Sequence, residues 1–592
     1  MGKGVLTDNK ERSERELYAA DNIDMNVLRR YSMEKGDDKT KKDHSFYRRK
    51  KRSLLNALYI ILVLVYLVYF GYSLHFRFGD EGSWRLAVCT VFAVSLILWN
   101  IFKKHQCIRS KPKLAIIPKC LSLPRERAKN IIRWVLYAGV TIFIVVFIVV
   151  DVAIDHPWNL VSLSGIVIFT ILTYIFSKDR SKVAWHTIFW GFALQFIFGL
   201  IIMRTAWGAG SVRWVGDRFT EFMSYSEDGS AFVFGDNYNE HTFAFKTLPS
   251  VVVFCAAIEL LSHLGVINFI VKNIGGFLGY CLTTTPAESI NAAANIFIGS
   301  TGSAMVVKSY LETMDTSELF VVLTSGMASI GGAAIILFIE FGIPADAILA
   351  ASVMSAPAAL AASKLYFPSS GKSKEKKPIQ MANTSKARNM FEALSNGTVV
   401  GLQLVVTIAA MIITFLAMMK FLNRTVEWFG DRAGVDNLTL EYLMSYILYP
   451  FAFVMGTRPE DCLLVGNLLG IKSLSNSGVA YIYLSKIIDN SETFADYTAI
   501  ENNTWRYTSE GIVLDNINVT LKEGIMSKRS EIITTYAMCG FASATMLGMT
   551  IGSLGALVPS RLAEIAKYAF PSFVIGTLAS YYTACIAGKF YF

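Results

Sequence analysis

The chain has 592 residues, of which 53% are hydrophobic and only 17% are charged. This balance is too apolar for a soluble globular protein of this length. The formal net charge is +10, but the lysines and arginines lie in a few blocks beside apolar runs, where they indicate membrane orientation and not nucleic-acid binding. The eight cysteines form no CxxC pair, so no zinc or disulfide pattern is readable. The composition therefore predicts a membrane protein without a nucleic-acid partner.

The first 52 residues are polar and end in a basic block at 48–52. They lack the apolar centre of a cleavable signal peptide, so we predict a cytosolic tail over 1–52. After this tail, apolar runs long enough for a bilayer core predict an all-α polytopic membrane protein with about eleven transmembrane helices. We place these spans near 53–75, 86–102, 131–154, 158–177, 183–203, 243–265, 317–340, 346–366, 399–422, 531–553 and 567–590.

Basic residues in the loops determine the predicted topology. The first predicted outside loop contains Arg77 and Arg85, against the positive-inside rule, and four further loops with lysine or arginine lie at 103–129, 178–182, 372–377 and 561–567. These four fall on the cytosolic side when the N-terminus is cytosolic, as the rule requires. An odd number of spans then places the C-terminus outside the cell. The same topology places outside the glycosylation sequons at Asn437, Asn502 and Asn518.

Two further apolar segments, 286–313 and 446–488, are interrupted by small polar residues near their middle. The interruptions fall at 299–302 and 475–478. Irregular backbone at membrane depth is tolerated only where it is buried in protein or lines a cavity, and paired interruptions of this kind mark the binding sites of transporters. The alternative is that the small residues only allow helices to pack closely.

Several motifs occur in a fixed order around these interruptions. They read AFVFGD at 231–236, ESINAAANIFIG at 288–299, ASVMSAP at 351–357, RSEII at 529–533, CGFA at 539–542 and TACIAG at 583–588. On these motifs the chain resembles the concentrative nucleoside transporters, a sodium-coupled family that imports nucleosides. The resemblance covers residues 183–592, and residues 53–182 match the additional N-terminal spans of the family's animal branch in layout only.

The resemblance implies an elevator-type transporter that is typically a homotrimer. Two re-entrant hairpins, near 291–313 and 446–488, are expected to meet in the middle of the membrane within a mobile transport domain. An interfacial amphipathic helix is expected around 212–223, where aromatic and charged residues alternate. The family also implies the plasma membrane as the location.

The resemblance also implies a sodium site and a substrate site. The sodium ligands correspond to Asn295, Ile298, Ser329 and Ile330, which supply side-chain and carbonyl oxygens of the kind that a hard cation prefers. The substrate-binding positions correspond to Gly299, Ser300, Thr301, Gly302, Ala334, Ser477, Ser543 and Met546.

The substrate positions depart from the family pattern. Where the family has Gly-Gln-Thr-Glu, the chain reads GSTG at 299–302, and the family's Asn-Glu-Phe-Val-Ala-Tyr appears as NSGVAY at 476–481. Both glutamates are therefore replaced, by Gly302 and Ser477. A buried site that has lost hydrogen-bond partners binds its polar ligand more weakly, so we predict altered specificity.

The predicted function is a sodium-coupled symporter that imports a nucleoside or a related small solute. The alternative is a membrane sensor or binding protein that uses a transporter fold with little or no net transport. We do not expect an enzyme, because no set of nucleophile, base and orienting residue is readable.

Overall fold

The computed structural model describes residues 61, 63–72, 90, 125–153, 159–369, 387–432, 434, 438–500, 504–508 and 511–590. The chain divides into two units, 1–125 and 126–592. In the first unit, helix α1 (Val63–Tyr72) lies inside the span predicted at 53–75. The span predicted at 86–102 lies outside the described residues, apart from Thr90.

From Arg125 onward the described chain is helical except for one small sheet and the connecting loops. The helices that precede the first interrupted segment are α2 (Arg125–Phe147), α3 (Asn159–Ile175), α4 (Trp185–Arg204), α5 (Ala206–Phe234), α6 (Leu248–His263) and α7 (Val266–Leu282). The middle of the chain forms α8 (Pro286–Val306), α9 (Lys308–Leu311), α10 (Thr316–Ala328), α11 (Gly332–Glu340), α12 (Ala345–Tyr366) and α13 (Met390–Arg432). The last part forms α14 (Leu440–Met455), α15 (Cys462–Leu474), α16 (Ser477–Thr498), α17 (Lys528–Met538), α18 (Ala544–Leu557) and α19 (Leu562–Phe590).

Six helices in the described part of the chain are long and apolar enough to cross a bilayer, and each coincides with a predicted span. They are Arg133–Val150, Trp185–Arg204, Phe243–His263, Ala345–Tyr366, Met390–Arg432 and Pro559–Phe590. The agreement follows from length alone, because about 20 apolar residues in a helix match the thickness of the hydrocarbon core.

Burial separates the interior helices from those on the periphery. In α12 and α19, 72% of the most apolar stretch is buried inside the protein, whereas in α13 the share is 6%. Large apolar side chains of α13 such as Val406, Ile413 and Phe421 are exposed. Such a surface is unfavourable in water but suits an apolar environment, so α12 and α19 form the interior of the chain and α13 lies at its periphery.

Two spans predicted as continuous, 317–340 and 531–553, are each broken in the middle. The first consists of α10 and α11 and is extended at Ser329 (φ −119°, ψ 159°) and Gly331 (φ −75°, ψ 153°). The second consists of α17 and α18, separated by residues 539–543. The apolar pattern hides these breaks, because a run of apolar residues reads the same whether or not its helix is continuous.

Three further elements differ from the prediction. Helix α7 lies between the predicted elements 243–265 and 286–313, where no helix was predicted, although its 17 residues are apolar enough for a buried helix. The segment 446–488 contains the end of a separate helix, α14, so the second hairpin is α15 and α16 only. The amphipathic segment expected at 212–223 is the middle of α5, which has 29 residues.

A three-stranded antiparallel sheet follows α16, in the order β1 (Trp505–Thr508), β2 (Gly511–Leu514) and β3 (Val519–Leu521). Trp505 pairs with Leu514, and Ile512 pairs with Leu521. One face of the sheet packs on Tyr497 at the end of α16. The sheet thus forms a small core of its own beside the helices.

Candidate substrate and sodium site

The first hairpin begins at a strongly held helix start. Thr285 and Glu288 form a capping box at the N-terminus of α8, in which the Thr285 N–H donates to Glu288 Oε2 at 3.0 Å. The other carboxylate oxygen of Glu288 forms a buried ion pair with Lys364 on α12. Lys364 also donates to Ser317 at 3.1 Å, which connects the helix start to α10. The base of the hairpin is therefore anchored to two neighbouring helices.

The hairpin breaks at Gly299, whose backbone has φ 81° and ψ 177°. Only glycine adopts this conformation readily, because a β-carbon would collide with the neighbouring backbone. The break lies against the break between α10 and α11: a β-carbon built on Gly331 would lie 2.4 Å from the Gly299 α-carbon. A β-carbon on Gly326 would lie 2.8 Å from the Ser300 β-carbon. The two interrupted segments are thus in backbone contact.

This contact places the backbone of Ile298 close to that of Ile330, two of the residues expected to bind sodium. The carbonyl carbon of Ile298 lies 3.6 Å from the position that a β-carbon on Gly331 would occupy, and Gly331 directly follows Ile330. The Ile330 carbonyl accepts from Ser352 at 3.1 Å, and the Ser329 hydroxyl donates to the Ser325 carbonyl at 3.0 Å. The oxygens of Ser329 and Ile330 keep lone pairs that are not used by these bonds.

Asn295 is almost fully buried in the same region, at 1% exposure. Its Oδ1 accepts from the Ser303 hydroxyl at 3.0 Å, while its Nδ2 has no hydrogen-bond partner. Because a hydroxyl can donate or accept, the Asn295 amide can also be oriented the other way round. Its Nδ2 then donates to Ser303, and its Oδ1 is left without a partner. The free end of the amide is a buried polar group that an ion or a ligand would satisfy.

The second hairpin meets the break between α17 and α18 in the same way. Ser477 donates to the Gly540 carbonyl at 2.8 Å, and Thr545 donates to the Ser475 carbonyl at 2.8 Å. The Ala542 N–H donates to the Met327 carbonyl at 2.9 Å, which joins this break to the end of α10. Interrupted backbone in the second hairpin, at the break between α17 and α18 and at the end of α10 is therefore satisfied by partners in another of these three segments.

The positions expected to bind substrate are placed as follows. Ser300 and Gly302 are half-buried at the first hairpin break, and Thr301 is exposed. Ala334 is half-buried in the first turn of α11, while Ser477, Ser543 and Met546 are buried at the second hairpin and the start of α18. Ser543 caps α18 by accepting from the Met546 N–H at 3.2 Å. All of them lie at or within one turn of a helix break, Ala334 in the half-helix that follows Gly331.

Sequence reasoning missed two residues beside the second hairpin break. Lys472 is 1% exposed and donates to the Ala537 carbonyl at 2.9 Å. Ser475 is also buried, and its hydroxyl has no hydrogen-bond partner. A single lysine within an apolar membrane segment is itself a signal of a functional site, and this rule would have identified Lys472.

Comparison with known proteins agrees with this arrangement. Residues 164–237 match the family described as the N-terminus of the Na+ dependent nucleoside transporter, and residues 347–588 match its C-terminus. The intervening residues 244–345 match a family described as nucleoside recognition.

Two solved structures share the fold. The inward-facing, substrate-bound state of CNTnw has a TM-score of 0.62 and 28% identity, covering 73% of this chain and 98% of that chain. A CNTnw variant in an outward-facing state has a TM-score of 0.65 and 27% identity, covering 74% of this chain and 99% of that chain.

Full-length relatives extend the similarity over most of the chain. Solute carrier family 28 member 3 of Eptatretus stoutii is 35% identical over 551 residues, which are 93% of this chain and 77% of the relative. Sodium/nucleoside cotransporter 2 of Rattus norvegicus is 33% identical over 555 residues, which are 93% of this chain and 79% of the relative. With its hairpin breaks, its apolar spans and this extent of similarity, the chain belongs to the sodium-dependent nucleoside transporter family of multi-pass membrane proteins.

Proposed function

We propose that this protein is a sodium-coupled symporter that imports a small solute related to nucleosides, with a specificity that differs from the usual one of its family. The observation that carries the proposal is the backbone contact between Gly299 and Gly331. It supports a sodium site formed by oxygens on both sides of this contact, next to a hairpin whose polar side chains differ from the family pattern. Sodium and solute would then depend on the same arrangement of the two breaks.

The proposed sodium ligands are the side chains of Asn295 and Ser329 and the carbonyls of Ile298 and Ile330. Sodium is a hard cation that binds oxygen, and interrupted helices supply carbonyls that are not engaged in helical hydrogen bonds. Binding of the ion would hold the first hairpin against the break between α10 and α11. The occupied sodium site would thus complete one wall of the substrate site.

The proposed substrate site lies at the breaks and includes Gly302 and Ser477 in place of the family's glutamates. Each hydrogen-bond partner that a buried ligand loses weakens binding by about 1–3 kcal/mol. Two such losses, about 2–6 kcal/mol together, predict an affinity for ordinary nucleosides that is lower by about 1.5 to 4 orders of magnitude. A solute with different polar groups fits this site better.

We further propose the arrangement of the whole protein. Residues 183–592 form the transport core, residues 53–182 are additional N-terminal spans, and residues 1–52 are a cytosolic tail. The protein would be a homotrimer in the plasma membrane with an extracellular C-terminus. The mobile part would carry both hairpins across the membrane as one body. The second hairpin is bonded to Gly540, and Ala542 of the same break is bonded to Met327 at the end of α10. The first hairpin contacts the break that follows α10 at Gly331.

The test is uptake into vesicles that contain the purified full-length protein. An inward sodium gradient is compared with a potassium gradient of the same size, over a panel of labelled nucleosides, nucleobases and their charged derivatives. We expect at least one solute to accumulate only with sodium. Equal uptake in both gradients would overturn the proposal. Stabilisation of the protein by a solute that it does not transport would instead favour a sensor.

A further inference from the structure

We propose that the substrate of this transporter is an organic anion, bound beside the second hairpin break by the buried ammonium of Lys472 and by neutral hydrogen-bond donors around it. This inference rests on the proposed function, because it names the substrate class of the same site. It starts from the charge balance of the buried residues.

Lys472 lies one helical turn before the tip of the second hairpin and is 1% exposed. Its ammonium donates to the Ala537 carbonyl at 2.9 Å and forms no ion pair with any residue that the structure describes. An ammonium has three N–H donors, so this single bond leaves two of them unused. A buried charge without a counter-charge is unfavourable, and a bound anion would remove that penalty.

The buried carboxylates of the described chain are committed elsewhere. Each lies in the first turn of a helix or directly before it and has its own partner. The pairs are Glu288 with Lys364, Glu318 with the Asp315 N–H, Asp461 with Ser527 and Glu531 with Lys528. Among the described residues, no buried carboxylate is left at the hairpin breaks to neutralise Lys472.

Other buried groups near the breaks are hydrogen-bond donors without partners. The Ser475 hydroxyl is three residues from Lys472, and the Ser325 hydroxyl lies at the end of α10. Three helices also begin at the breaks: α11, α16 and α18. Helix N-termini carry partial positive charge and favour anions. These features together fit a solute with an acceptor-only group such as a carboxylate.

A structural role for Lys472 has to be distinguished from this one. Ala537 lies in the last turn of α17, where carbonyls have no helical partner, and a lysine that only satisfies this carbonyl would stabilise the helix end. Such a lysine would affect folding and every substrate equally. A ligand-binding lysine would affect charged and neutral substrates differently.

The experiment uses two matched pairs of solutes in vesicles that contain the full-length protein. Uridine is compared with uridine 5′-carboxylate, and uracil is compared with orotate, so that each pair differs mainly in one carboxylate. We expect sodium-driven uptake to be at least tenfold more efficient for the anionic member. Each transport cycle with the anion should also move one net positive charge fewer into the vesicle than a cycle with its neutral partner, whatever the number of sodium ions.

The variant Lys472→Met should lower the affinity for the anion at least tenfold and change that for the neutral member by less than twofold. Lys589→Met is the matched control, because Lys589 is equally buried and lies over the Phe196 ring of α4, 4.1 Å from its centroid. Lys589→Met should leave the preference for the anion unchanged. If Lys472→Met does not fold, Lys472→Arg should retain the preference, and competition between the paired solutes in the unmodified protein decides the question.

The results of this experiment distinguish failure of the anion proposal from failure of the proposed transport function. Sodium-driven uptake of the neutral members with exclusion of the anions would overturn the anion proposal and leave the proposed function intact. Stabilisation by the anions alone, lost in Lys472→Met and without uptake, would support the anion site and overturn transport. Neither uptake nor stabilisation would overturn both. If Lys472→Met lowers the uptake of both members of a pair equally, Lys472 has the structural role and the anion proposal is overturned.

Discussion

Gly299 and Gly331 touch backbone to backbone, and a β-carbon on Gly331 would lie 2.4 Å from the Gly299 α-carbon. The first hairpin and the broken span that follows it therefore meet at a point where neither has a side chain. Because backbone cannot rotate away as a flexible side chain does, a methyl group here has to separate the two segments. The contact is thus the most direct structural test of the proposed sodium site.

Gly331→Ala should lower the apparent affinity for sodium at least tenfold, because the oxygens of Ile298 and Ile330 would move apart. The measurement is the sodium concentration that gives half-maximal uptake. Overpacking of this kind also destabilises proteins by about 1–3 kcal/mol, so the unfolding temperature should fall. Gly276→Ala on α7 is the control, because a β-carbon there would meet no atom within 4 Å. An unchanged sodium affinity in Gly331→Ala would contradict the site.

Ser329→Ala should raise the half-maximal sodium concentration about tenfold, because the ion loses one oxygen ligand worth about 1–2 kcal/mol. The maximal rate at saturating sodium should stay close to that of the unmodified protein. Ser363→Ala is a suitable control, since Ser363 is equally buried and only donates to the Ala359 carbonyl within α12. A similar shift in both variants would indicate a general packing effect.

Lys364→Met should destabilise the protein by about 3–5 kcal/mol, because it leaves the Glu288 carboxylate buried without its counter-charge. The double variant Glu288→Leu/Lys364→Met should recover part of this loss, since no unpaired charge remains. Thermal unfolding in detergent measures both. Arg424→Met, which breaks the exposed pair between Arg424 and Glu427, should have no measurable effect. Equal destabilisation by the single and double variants would argue against a charge effect.

Ser477→Glu should raise uptake of uridine and lower that of its 5′-carboxylate, because the new carboxylate restores an acceptor for sugar hydroxyls and repels anions. Gly302→Glu should be tolerated less well. A β-carbon at Gly302 would lie 2.2 Å from Cγ2 of Ile298, so this side chain has to move. Uptake of the paired solutes by each single variant and by the double variant measures the effect. Unchanged selectivity in all three would locate specificity elsewhere.

Asn518 should carry a glycan if the proposed topology is correct. It lies exposed in the turn between β2 and β3, with φ 50°, and belongs to the sequon Asn518-Val-Thr. Expression in animal cells should yield a mobility shift on glycosidase treatment that is reduced in Asn518→Gln. Asn516→Gln, in the same exposed turn but outside any sequon, should retain the shift. An identical shift in Asn518→Gln and the unmodified protein would show that Asn518 carries no glycan.

The sequence was sufficient for the features that depend on local composition. Apolar length predicts the spans, and the small polar residues at 299–302 and 475–478 predict the hairpin interruptions. The structure has breaks at Gly299 and at Ser475 and Asn476, as expected. The roles of the residues at these breaks remain predictions, because they depend on a ligand.

The breaks at 329–331 and 539–543 were missed although their sequences contain a signal. Both include glycine beside small residues, at Gly331 and Gly540, but the surrounding residues are apolar enough to read as continuous spans. A glycine in an apolar helix can serve close packing equally well. Only its neighbours distinguish the two uses: Gly331 lies against Gly299, and the Gly540 carbonyl accepts from Ser477.

The amino-acid sequence by itself determined that this is a polytopic membrane transporter of a recognisable family, because the length of apolar runs and the order of motifs are properties of the linear chain. Tertiary structure alone decided which interrupted segments are in contact and that Lys472 is buried beside them, without an ion pair among the described residues. The physical reason is that the backbone N–H and C=O groups at an interrupted helix end need hydrogen-bond partners from other segments. These partners lie tens to hundreds of residues away in sequence, as Ser477 and Gly540 or Ala542 and Met327 do.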